Sequence, residues 1–282
     1  MSRKITTIII VLIIVAGLGL LLYPTVSDIL KTIAYHRAIV DYQAVVEAMD
    51  PETYEDILKE ARAYNEKLLA FGSVRVRMSE EELLEYERQL NIDNSGIMGY
   101  VVIPKINVSL PIYHGTSEAV LQSGVGHLEG SSLPVGGIGT HTVLSGHRGL
   151  PSAMLFTNID QLVIGDTFTV RVFKEILTYE VDEIKTVLPS EINALRIVSD
   201  QDYCTLLTCT PYGVNSHRLL VRGHRIPTPT DEEAFADLQG SWIDYLPLIA
   251  GAVVGIIVLV VIIILIRRRR KRKNQTKPQE NA

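Results

Sequence analysis

Cysteine is nearly absent from this chain. There are two in 282 residues, Cys204 and Cys209, too few for a disulfide-built scaffold. Nor do they suit a single bond. On one strand they would stand five steps apart, roughly 16 Å, and on opposite faces, whereas a disulfide needs Cα atoms within about 7 Å. At least one free thiol is expected. A zinc pattern is missing too: His127, His141 and His147 are separated by fourteen and six residues, a spacing that common zinc motifs do not use. No G-x-S-x-G surrounds the serine of "LSGHR", which removes the nucleophile elbow of a serine hydrolase. No internal repeat is present. No metal or cofactor is expected.

Long apolar runs, by contrast, are present, and both sit at the ends. Residues 5–23 form a 19-residue stretch without a charge, preceded by Arg3 and Lys4; residues 245–266 form a 22-residue stretch, followed by "RRRRKRK". About 20 apolar residues cross a bilayer, and basic flanks stay in the cytoplasm. The expected topology has two spans, both termini inside, and everything between them outside. A cleaved signal peptide is the alternative for the first run. With no small-x-small site just after it, an uncleaved anchor is preferred. The basic tail then reads as a stop-transfer anchor beside anionic lipid.

Basic residues are scarce in the external part. The 27 lysines and arginines, less Arg3, Lys4, the seven of the tail and Lys277, leave 17; the 32 acidic residues, less Glu280, leave 31, a net charge of −14. Phosphate backbones are bound through lysine and arginine, so nucleic acid is not an expected partner.

The external region divides in two. Residues 26–90 show apolar positions at three- and four-residue spacing. Asp50-Pro51 reads as an N-cap followed by proline at the first helical position, and Ser79…Glu82 as a capping box. From Gly99 short β-branched runs take over ("YVVIPKINVSLPIY", "TFTVRVFKEILTYEVDEIKTVLP", "DYCTLLTC", "RLLVRGHR"), the pattern of a closed β-barrel or a sandwich. The intervening "GHLEGSSLPVGGIGTHTVLSGHRGLP" is too polar for core and too long for a simple turn, and is expected to build a site.

Cys209 ends an apolar strand before a Pro-Gly turn. Two readings compete: a nucleophile, which needs a base or a cation nearby, or a small packed hydrophobe. Candidate bases are His114, His127, His141, His147, His217 and His224; His36 reads as a surface residue. Arg218 lies nine residues after Cys209. If the two strands are antiparallel neighbours, its guanidinium returns close to the thiol, where it favours a thiolate and can bond a substrate carbonyl or oxyanion.

These residues carry a resemblance. "TLLTCTPYGVNSHRLLVRGHR", with its TLxTC motif and the arginine nine residues on, resembles the active-site segment of sortases, the membrane-anchored cysteine transpeptidases of Gram-positive bacteria. "THTVLSGHRGLP" resembles their histidine segment. "IPKINVSLPIYHG" and "GHLEGSSLPVGG" resemble their early strands and loops, so that residues 99–225 are covered. The variant "TLLTCTPYG" with a second C-terminal span is most similar to the class C, pilus-building members. The resemblance implies a mainly β fold, a closed barrel of about eight strands with an N-terminal helical segment and two transmembrane helices. The implied division is a cytoplasmic N-terminus 1–4, span 5–23, external helical segment 24–95, barrel 96–228, linker 229–244, span 245–266 and cytoplasmic tail 267–282.

The resemblance also implies roles. Cys209 is the nucleophile, His147 the general acid/base, Arg218 the substrate-positioning and oxyanion-stabilising group, with Thr208 supporting the oxyanion site and Cys204 a packed thiol. The implied substrates are pilins or surface proteins bearing an LPxTG-like sorting signal. The implied acceptor is a pilin lysine or, alternatively, a peptidoglycan precursor. A hydrolytic cysteine protease and a non-enzymatic surface protein are the remaining alternatives. Class C enzymes usually carry an Asp-Pro-aromatic lid over the cysteine. Here "GSVRVRMSEEE" follows "AYNEKLLAF" without that motif, so the lid is expected to be missing or atypical and the site open.

Overall fold

The structure is a computed structural model that describes residues 3–72, 74, 75, 77–228, 251 and 255. The linker, the second apolar run but for Gly251 and Gly255, and the basic tail lie outside the described residues. The chain divides into two units, 1–238 and 239–282.

Helix α1 (Arg3–Ala48) runs unbroken from the first apolar stretch into the residues that follow it. Among the described residues no helix is long and apolar enough to cross a membrane; many side chains of 5–23 are outside those described. Helix α2 (Pro51–Leu69) starts as expected. The Thr53 N–H donates to the Asp50 carboxylate at 2.9 Å, and Pro51, lacking an N–H, sits where no intrahelical donor is needed. Its buried side chains, Leu58, Ala61, Tyr64, Asn65 and Leu68, repeat at helical spacing and form one face. Helix α3 (Glu80–Arg88) opens on the Ser79–Glu82 capping box.

Eight strands follow: β1 (Ile97–Ile103), β2 (Val108–His114), β3 (Val125–His127), β4 (Thr140–Ser145), β5 (Thr167–Val172), β6 (Glu175–Val187), β7 (Asp202–Thr210) and β8 (His217–Ile226). Helix α4 (Glu118–Ser123) lies between β2 and β3. The strands close into a barrel in the order β1-β2-β3-β4-β7-β8-β6-β5, the eight-strand closed barrel that was expected. Closure leaves no sheet edge unpaired. The β1–β2 link turns on Asn107 at φ 52°, a left-handed position that asparagine tolerates.

Alternation along the strands sorts side chains into barrel interior and exterior. Cys204, Leu206, Leu219 and Val221 point into the main core, with Phe168, Val170, Tyr179 and Leu144. Every residue of β1 is buried, because α1 covers its outer face. The Tyr42 hydroxyl of α1 donates to Met98 O at 3.1 Å and accepts from Phe173 N–H at 2.8 Å.

The segment rich in glycine, histidine and serine corrects an expectation. Residues 130–136 are all buried, so this part of the stretch is core despite its polarity, while its last part carries His147 beyond β4. Its polar groups satisfy one another and their neighbours. Asn65 clamps Leu133 by accepting from its N–H at 2.7 Å and donating to its carbonyl at 3.1 Å. His127 donates from Nε2 to Ser132 O at 2.8 Å and accepts at Nδ1 from the Tyr86 hydroxyl at 2.9 Å. His141 donates from Nδ1 to Arg196 O at 2.9 Å and accepts at Nε2 from Thr205 at 2.7 Å.

Burial pushes both imidazoles down to about 4. In the unfolded chain they return to about 6.5, so acid favours unfolding. Their stabilising share is present above pH 6.5, falls as pH drops, and is gone below pH 4, at up to about 3 kcal/mol each. Melting temperature should therefore decline between pH 6.5 and 4. In His127→Gln that decline should flatten, whatever the variant's stability at pH 7.

Candidate active site

Strands β7 and β8 pair antiparallel, and their register sets Cys209 directly opposite Arg218. The turn between them has all of residues 211–216 exposed and passes through left-handed backbone at Gly213 and Asn215, φ 74° and 59°. The Arg218 guanidinium donates to Asn215 O at 3.2 Å and His217 O at 3.1 Å. The loop thus holds the cation beside the strand that carries the thiol.

Strand β4 runs parallel to β7, with Ser145 against Leu207, and the Gly146 N–H continues the ladder to Leu207 O at 3.0 Å. His147 comes next. Two side-chain bonds tie the strand ends together. The Thr208 hydroxyl donates to Gly146 O at 2.7 Å, and Arg148 Nη1 donates to the Thr210 hydroxyl at 3.1 Å. His147 lies between the tied residues on one strand end and Cys209 between them on the other, so the two are held abreast. Arg148 is fixed in turn by a salt bridge to Asp160. A side chain at Gly146 would strike the Phe156 ring at 2.7 Å, so only glycine lets the loop cap this end of the barrel.

Thr208 is 1% exposed, and its one hydroxyl proton is committed to Gly146. That makes it a strut between the two strand ends, one residue before Cys209. Cys204 and Cys209 are both free. Cys204 is fully buried in the barrel core, where desolvation raises its thiol well above the ordinary range, and a buried neutral thiol is inert. Cys209 is half-buried at the strand end.

Two features of the site carried no signal in the sequence reading. One is Glu118, whose Oε1 lies 3.3 Å from His147 Nε2. Ser117 caps α4 by accepting from the Val120 N–H, which places Glu118 in the helix's first turn. A side-chain bond from Gln122 and, after it, the neighbouring His147 ring lower the Glu118 carboxyl below its usual range. The second is Val74, in the segment between α2 and α3. It is buried against Val143, Leu195 and Leu220, with Leu128, Val187, Ala194 and Leu207 packed at the margin. Leu207 and Leu220 pair across β7 and β8 on the outer face that also bears Cys209 and Arg218, two residues along, roughly 7 Å. Arg75 latches the segment through its N–H to Gly130 O at 3.1 Å, and its guanidinium pairs with Glu82 and lies over the Phe71 ring. The Asp-Pro-aromatic motif is absent, yet Val74 occupies the apolar floor beside the cysteine.

His217 pairs with Thr210 at the rim of the site, beside Arg218, and its Nδ1 bonds the Ser216 hydroxyl at 2.9 Å; His114, His127 and His141 bond within the packed structure. Among the described residues no group of three or more His, Cys, Asp or Glu is arranged to hold a metal ion.

Comparison with known proteins identifies the family. Residues 101–226 match the Sortase domain family. The crystal structure of sortase C1 from Streptococcus agalactiae superposes with a TM-score of 0.66 at 55% identity, over 68% of this chain and 100% of that one. The chain belongs to the sortase family. A sortase C from Clostridium perfringens, solved with the C-terminal cell wall sorting motif, matches at 45% identity and a TM-score of 0.60, over 68% of this chain and 99% of that one. Sortase D of Bacillus subtilis is 31% identical over 131 residues, 45% of this chain and 63% of that protein. Within the family this chain is class C-like, and sortases are cysteine transpeptidases of the Gram-positive cell surface.

Proposed function

We propose that this sortase is a two-pass membrane enzyme that polymerises pilin subunits, with Cys209 as nucleophile, His147 as general acid/base and Arg218 as the oxyanion- and substrate-positioning cation. The reading rests on one observation above all: the Cys209–Arg218 register pair with His147 tied abreast of it. Cys209 Sγ attacks the threonine carbonyl of an LPxTG-like signal. The C–N bond to glycine breaks, His147 gives its proton to the leaving amine, and a thioester remains. A pilin lysine amine then attacks the thioester. His147 takes a proton from that amine, the C–S bond breaks, and an isopeptide bond forms. Arg218 faces the oxygen that gains charge in both steps. Anchoring through 5–23 and 245–266 is supported by the two uncharged runs and their basic flanks.

The test is a denaturing gel of the full chain in detergent with a candidate pilin, with and without prior alkylation. Because Cys204 is inaccessible, alkylation reports on Cys209. A covalent ladder that alkylation removes supports pilin polymerisation. Cleavage without a ladder favours anchoring to peptidoglycan, or hydrolysis. Arg218→Lys should lower kcat/KM by about 10²–10³-fold, because an ammonium cannot reproduce the planar fork; wild-type-like kinetics in that variant would remove Arg218 from the mechanism.

A further inference from the structure

The catalytic end of the barrel is also the end bound to the start of the external helix. The Ser27 hydroxyl of α1 donates to Ser152 O at 3.2 Å, and the Met154 N–H donates to Asp28 at 2.8 Å. Both partners lie on the loop that begins just after His147. One turn further on, Lys31 donates to Gln122 O at 3.0 Å, at the end of α4, whose first turn carries Glu118 against His147. The opposite end of α1 holds the opposite pole of the barrel: Tyr42 bonds Phe173, and Glu47 lies 3.7 Å from Lys174. Asp28 and Lys31 follow the last residue of the apolar run, Tyr23, by five and eight positions, about 8 and 12 Å of helical rise.

Several large apolar side chains stand exposed at this end, among them Met154, Tyr212 and Val214. Met154 is 48% exposed on the loop tied to α1; Tyr212 and Val214, on the β7–β8 turn beside Cys209, are 62% and 68% exposed. A side chain at Gly149, two residues after His147, would come within 2.8 Å of the Tyr212 ring, so the turn and the histidine loop are packed together. Scattered apolar residues on a surface need no explanation. These three share one end, the end joined to a helix whose exposed Leu20, Leu21, Tyr23, Val26 and Leu30 continue towards it.

We propose that the catalytic end of the barrel rests on the outer leaflet of the membrane, with Met154, Tyr212 and Val214 seated in the headgroup–acyl boundary. The occupant of this surface is lipid. The amphipathic tyrosine suits that boundary, and apolar groups there reach some 5–10 Å into it. Cys209 then works at headgroup height, where a substrate held by its own membrane segment presents its cleavage site, and is turned away from protein free in solution. The proposal rests on the anchored reading of residues 5–23.

The test uses the full chain with Trp242→Phe, reconstituted in phosphatidylcholine vesicles with brominated acyl chains, and single tryptophan reporters at Leu20, Met154, Val214 and Ile138. Leu20→Trp reports the span itself. Ile138→Trp is the control, since Ile138 sits in the loop joined to the Asp202 end of β7, away from Cys209. Emission should fall by about twofold or more at Leu20, Met154 and Val214 and stay unchanged at Ile138. Quenching at Leu20 but at neither Met154 nor Val214 overturns the proposal and leaves the anchor standing. No quenching at Leu20 overturns the anchor and the proposal with it. Equal quenching at all four positions overturns the stated orientation.

Discussion

Cys209→Ala should abolish transfer, while Cys204→Ala should leave it within about twofold and lower stability instead. The two thiols sit five residues apart on one strand, and the pleat sends them to opposite sides. Cys204 faces the barrel core, 0% exposed, with its thiolate form strongly disfavoured by burial. Shortening it to alanine removes one packed sulfur and should cost about 1 kcal/mol, read as a lower melting temperature. Cys209 faces outward at the strand end, opposite Arg218 and abreast of His147. Alanine there leaves the fold intact and removes the atom that forms the thioester, so residual catalysis has no covalent route. A denaturing gel after incubation with sorting-signal substrate separates the cases. A thioester band retained by Cys209→Ala and lost by Cys204→Ala would reverse the assignment.

Much of this geometry was legible because it is local. The Asp50 cap and the Ser79–Glu82 box are read from residues three apart, and Asn107 marks its own turn. The Cys209–Arg218 pairing follows from a nine-residue return through a Pro-Gly turn, since an antiparallel hairpin fixes its register at the turn. What sequence spacing does not carry is contact across long separations. The parallel β4–β7 pairing, which brings His147 to Cys209, joins strands about 60 residues apart; residue types pointed to it only through the resemblance. Glu118 reaches His147 from another 29 residues away. The glycine-, histidine- and serine-rich segment misled for the same reason. Its polarity reads as exposure until Asn65 from α2 and Tyr86 from α3 supply the partners that let it be buried.

Val74→Asp should raise the affinity for a sorting-signal peptide by about tenfold or more, with kcat little changed. In the segment between α2 and α3, Val74 is buried in the barrel's apolar floor, and burying a valine is worth roughly 1.5–3 kcal/mol. A carboxylate cannot enter that floor unpaired, so the variant shifts the segment towards its undocked state by about 10–100-fold. A peptide that lays an apolar side chain on Val143, Leu207 and Leu220 competes with Val74 for the same surface. Its apparent dissociation constant is the intrinsic one divided by the undocked fraction. Releasing the segment raises that fraction and lowers KM, while the groups around Cys209 stay as they were. The latch gives a second handle: Glu82→Ala removes the partner of Arg75 and should act in the same direction, more weakly, because that pair is partly exposed. Peptide kinetics on both variants decide the matter. An unchanged KM in Val74→Asp would mean that Val74 and the substrate use different surfaces, and that docking of Val74 does not control access to the thiol.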